Sequence, residues 1–107
     1  MELERKYHFG MLITRGMVAV TMMTIGMLAA FFPEDNEDYS EEKTQTQFDE
    51  DKANALETLT EMEKMGGTVP DELRELVENC QLRTYSTKDE ISAFGDKTRD
   101  MIEAIQL

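Results

Sequence analysis

The chain of 107 residues has one cysteine, one histidine, two prolines and no tryptophan. A lone cysteine excludes an internal disulfide framework and a cysteine-built zinc site. A lone histidine, His8, leaves no Ser–His or Cys–His pair for nucleophilic catalysis. Basic residues are also scarce: 11 Lys and Arg stand against 23 Asp and Glu, for a net charge of −12. Such a chain repels phosphate backbones, which argues against nucleic-acid binding. The sequence contains no HExxH, CxxC, GxSxG or phosphate-binding glycine loop. No cofactor, metal or small-molecule substrate is expected, and the chain is not read as an enzyme.

The charge is unevenly spread. Residues 9–32 hold one charged side chain, Arg15. Residues 33–51 hold nine acids and one base, Lys43. The stretch FGMLITRGMVAVTMMTIGMLAAFF (9–32) would form a helix about 36 Å long, enough to cross a bilayer. Arg15 near one end could extend its charge to the headgroups, and aromatic residues mark both boundaries. A single N-terminal transmembrane helix is therefore expected, preceded by a short inner tail at 1–8. Arg5, Lys6 and Arg15 lie before or at the start of the span, which predicts the N-terminus inside and the remainder outside, in a periplasm or intermembrane space. Two other readings stand beside the anchor: a cleaved signal peptide, which has a similar layout although no clean small-x-small site precedes Pro33, and a helix buried in a soluble protein.

Within that span, Gly16, Ala19, Met23, Gly26 and Ala30 fall on one side of a helical wheel, with Arg15 at the edge. Small residues allow close approach of helix backbones, so this stripe is expected to meet a partner helix or a second copy. Its low hydrophobicity also resembles the releasable anchors of phage lysis proteins.

Residues 33–47 offer little to bury and are expected to form an extended acidic linker. Asp35, Glu37 and Asp38 lack the glycine and distal glutamate of a calcium loop. Tyr39 and Phe48 are candidate docking side chains for a partner protein.

From 48 to 107 the apolar spacing is helical. Three helices are predicted, at about 48–65, 70–83 and 87–105. Gly66-Gly67 ends the first and Pro70-Asp71 starts the second. Ser86-x-x-Asp89 or Thr87-x-x-Glu90 caps the third. The fold class expected is all-α: an anchor helix, an acidic linker and a small three-helix module. Cys80 reads as a core residue, or as an intermolecular disulfide partner on an oxidising side. The function expected is a membrane-anchored interaction protein, an accessory subunit or assembly factor. A phage-type lysis regulator and a secreted helical protein are the alternatives.

Overall fold

The computed structural model describes residues 2–35 and 37–107; Met1 of the expected tail and Asn36 of the expected linker lie outside the described residues. Four α-helices account for most of the chain: α1 (Glu2–Phe31), α2 (Glu41–Lys64), α3 (Asp71–Asn79) and α4 (Lys88–Glu103). A 3-10 turn at Pro33–Asp35 follows α1. No strand occurs among the described residues.

The helices form an up-down-up-down bundle. Gly16 of α1 faces Thr58 of α2, and Gly26 faces Phe48, so α1 and α2 run antiparallel. Gly16 also faces Ile102 of α4, while Thr24 lies against Gly95, so α4 runs antiparallel to α1 as well. The short α3 and the extended segment after it return the chain between these two descents. Cys80 thereby meets Met27, and the Arg83 side chain donates to the Ala30 carbonyl near the top of α1.

Local chemistry explains where most elements start and stop. Ser40 caps α2, its hydroxyl accepting from the Lys43 amide, and Glu41 and Glu42 lie in the first turn. Acids at that end meet the positive pole of the helix dipole. The expected linker is thus shorter than the composition suggests: its residues 41–47 are the first two turns of α2. Helix α2 ends at a glycine pair. Gly66 has φ of +97°, a region L side chains rarely adopt. Gly67 lets the Phe9 ring close on the turn; a β-carbon there would sit 2.7 Å from the ring. Thr87 caps α4 by accepting from the Glu90 amide, and its hydroxyl donates to the Glu90 carboxylate, as the Thr-x-x-Glu pattern predicts.

One core runs through all four helices. Val20, Met23 and Met27 of α1 pack with Phe48, Leu59 and Met62 of α2, Leu73 and Val77 of α3, and Ile91 and Ile102 of α4. The expected separation into an anchor and an independent three-helix module is not what this packing forms. Val20, Met23 and Met27 of α1 complete the core that the inner faces of α2, α3 and α4 line. Three buried threonines add no unmet polar group, because Thr24, Thr58 and Thr98 each donate to the carbonyl four residues earlier.

Candidate interaction surface

The two sides of α1 have different environments. The inward side comprises Phe9, Leu12, Gly16, Ala19, Val20, Met23, Thr24, Met27 and Ala30, all buried. Four of the residues expected to meet a partner helix, Gly16, Ala19, Met23 and Ala30, are therefore covered by this chain's own α2 and α4. Gly26 is half-buried, with Phe48 and Leu82 in van der Waals reach. The small side chains have the predicted use, close helix approach, but the partner helices are intramolecular. Arg15 pairs with Glu61 at 3.1 Å and with Glu57 at 3.7 Å, both on α2. Phe48, expected to be available for docking, is 1% exposed and forms part of the core. Tyr39 is half-buried, and its hydroxyl is enclosed without a hydrogen-bond partner.

The opposite side of α1 carries Leu3, Tyr7, Met11, Val18, Met22 and Ile25, each at least 38% exposed. Thr14 lies among them, also exposed. Two apolar grooves run end to end here. One, of about 380 Å³, is lined by Tyr7, Gly10, Met11 and Thr14. The next, of about 340 Å³, is lined by Thr14, Met17, Val18, Thr21, Met22 and Arg99. Gly10 contributes to the depth of the first groove, since nothing lies within 4 Å of where its β-carbon would be. The hydroxyls of Thr14 and Thr21 donate to the carbonyls of Gly10 and Met17. Their polar groups are thus satisfied within the helix, and the face can lose water without stranding them.

This outward face carries a repeat that escapes a reading by hydrophobicity alone. Met11, Val18, Ile25 and Phe32 recur every seven residues, with Tyr7, Thr14 and Thr21 between them, while Leu28, next in that register, packs against the core. Residues seven apart share one side of any α-helix, so this spacing marks a face and not the kind of partner that covers it. In the sequence it is hidden, because residues 9–32 are apolar on every side and no single period stands out. Only the burial of the opposite side isolates it.

Elsewhere the surface offers little chemistry. No group of three or more His, Cys, Asp or Glu among the described residues is placed to hold a metal. A cleft of about 220 Å³ beside Cys80, lined by Glu72, Glu75 and Tyr85 among others, is shallow and open. Cys80 is buried, and desolvation pushes its thiol up to about 11, partly offset by the charge of Lys52. Among the described residues, Asp51 is the one buried acid. Desolvation raises its pKa, while a hydrogen bond from Gln47 opposes the rise, and its second carboxylate oxygen has no partner. The Arg83 guanidinium is raised by its hydrogen bonds to Glu41.

Compared with protein-family models, curated proteins and solved structures, the chain matches none. The outward face of α1 is thus the feature on which a functional reading rests.

Proposed function

We propose that this chain is a non-enzymatic interaction protein, an accessory subunit or assembly factor that docks through α1. One observation carries the reading: from Phe9 on, α1 is apolar on nearly every side, with Arg15 its one charge, yet the chain covers only one side of it. A helix of that composition calls for cover on both sides, in a larger core or in lipid. The packing favours protein as the cover. Moving α1 into a bilayer would expose Leu59, Met62 and Ile102, now 0% exposed, and would separate Arg15 from Glu61. Losing burial of one such side chain costs about 1.5–3 kcal/mol.

A second reading is favoured by a different observation. Helix α1 is long and apolar enough to cross a membrane. In that reading α1 leaves the bundle and becomes an anchor. Arg5, Lys6 and Arg15 then hold the N-terminus inside, and the acidic remainder lies outside as a partner-binding module. A lysis regulator shares that layout.

Extraction of the full chain separates the readings. Expressed in bacteria, the docking protein is expected in the supernatant after an alkaline carbonate wash. Retention in the membrane pellet, with α1 shielded from protease, would replace it with the anchor reading. Growth arrest with loss of the membrane barrier would point to the lysis regulator.

A further inference from the structure

We infer that Asp51 is a proton-operated latch on the seam between α1 and α2: ionised, it loosens the seam, and protonated, it lets the seam close. The inference does not depend on what covers the outward face of α1.

Two contacts locate Asp51. Gly16 of α1 faces Thr58 of α2, and Gly26 faces Phe48. The two helices are antiparallel, so counting along α2 from either contact sets Asp51 level with Met23. Asp51 and Thr58 are seven residues apart and share one side of α2. Asp51 is therefore turned toward α1, where it is 7% exposed beside a fully buried Met23.

The carboxylate is only half satisfied there. Gln47 donates to Oδ1 at 3.1 Å, and the enclosed Oδ2 has no partner. Helix α1 has no donor to give. Its backbone amides at this level are bonded within the helix. The Thr21 and Thr24 hydroxyls donate to the Met17 and Val20 carbonyls. From Gly16 to Phe31, α1 has no titratable side chain. Arg15, just before that stretch, pairs with Glu57 and Glu61. On α2, Glu50 repels a charge at Asp51, and Lys52 donates to the Cys80 carbonyl instead. The bases of α3 and α4 are engaged elsewhere: Arg74 with Glu63, Lys97 with Glu72, Arg99 with Asp96, and Lys88 over the Phe32 ring.

An enclosed charge with one oxygen unpaired favours any state in which water reaches it, and the neutral acid has much less to gain. Separation of α1 from α2 beside Met23 is the motion that wets Oδ2. Burial raises the Asp51 pKa above 3.8, so the closed seam holds the proton more tightly than the open one. Opening is therefore constant below 3.8 and increases as pH rises above it. The increase is up to about tenfold per pH unit, because one proton is linked, and it ends once the closed-state value is passed.

Oxidation of methionine by hydrogen peroxide tests the latch on the full chain, because the Met23 sulfur is reached only when the seam opens. Initial rates are read by peptide mass spectrometry at pH 4 and pH 7, with exposed Met11 as the reagent control. In the wild type, Met23 is expected to gain severalfold on Met11 between the two pH values, and in Asp51→Asn it should gain nothing. Met62 is equally buried but 11 residues farther along α2, about 16 Å away, and should stay slow at both. Gln47→Ala, at an exposed position, removes the hydrogen bond that favours the charge, so Met23 should oxidise faster than in wild type at pH 7. A wild-type Met23 rate that is flat against pH, the same rise in Asp51→Asn, or no change in Gln47→Ala would overturn the latch. An equal rise at Met62 would overturn its placement on the seam, because the whole bundle would then be opening.

Discussion

Gly95 offers a sharp test of whether α1 lies against α4. A β-carbon at Gly95 would sit 2.7 Å from the Thr24 Oγ1, 3.1 Å from its Cγ2 and 3.4 Å from its Cβ. The Thr24 hydroxyl cannot swing aside freely, because it donates to the Val20 carbonyl at 2.8 Å. In an isolated helix, Gly→Ala stabilises by about 1 kcal/mol. Here the added methyl overpacks the α1–α4 contact, at a cost of about 1–3 kcal/mol. Gly95→Ala should therefore leave stability unchanged or lower it by up to about 2 kcal/mol. In a Thr24→Ala background the two closest atoms are gone. The same substitution should then stabilise by about 1 kcal/mol. The coupling between the two sites is about 1–3 kcal/mol, within the range seen for residues in contact. Urea denaturation of the four proteins, followed by circular dichroism, measures it. Each kcal/mol corresponds to about 4–8 °C in Tm for a domain near this size. If α1 were an anchor apart from the other helices, Gly95→Ala would stabilise equally in both backgrounds. That result would refute the packing argued above.

Three further outcomes are expected. Burial raises the Asp51 pKa above its ordinary value of 3.8, so the folded state prefers the protonated acid. Its contribution to stability is complete below the unfolded value and is lost as pH rises through the folded one. Asp51→Asn should therefore gain on wild type as pH rises above about 4, read from urea midpoints across pH 3–7; a constant difference would show that Asp51 does not titrate abnormally. Cys80 is 1% exposed and its thiol is raised to about 11, so at pH 8 about one molecule in a thousand carries thiolate. Labelling by a thiol reagent should be slow in native buffer and fast in urea, and native labelling at the rate of a free thiol would contradict its burial. Arg15→Leu should cost less than about 1 kcal/mol, because its pairs with Glu57 and Glu61 are solvent-exposed. A loss above 3 kcal/mol in thermal unfolding would mean the pairs matter more than their exposure implies.

Much of the helical pattern is legible from residue chemistry. The Thr87-x-x-Glu90 start, the Gly66 stop and the inner faces of α2, α3 and α4 follow from local rules, and the structure places them as the pattern predicts. The early start of α2 does not, because residues 41–47 contain no apolar side chain to reveal a helical period. Its signals are Ser40 as a cap and acids in the first turn, which a reading by composition treats as spacer. The partner of the Gly16–Ala30 stripe is also hidden. Close-packing residues announce that a helix will come near, but they carry no information about which chain supplies it. Phe48 shows the same limit from the other side: an aromatic residue beside an acidic run suits docking and core alike, and burial alone decides between them.

The position of α1 in the chain has a consequence during synthesis. Every helix that covers it is made later, and α4 is complete only some 70 residues after α1 ends. At about 5–20 residues per second, synthesis of those neighbours takes roughly 4–14 s after α1 is complete. Until α4 is complete, the residues of α1 that it covers, Gly16 and Thr24 among them, lack that cover, and the α1–α4 contact closes last.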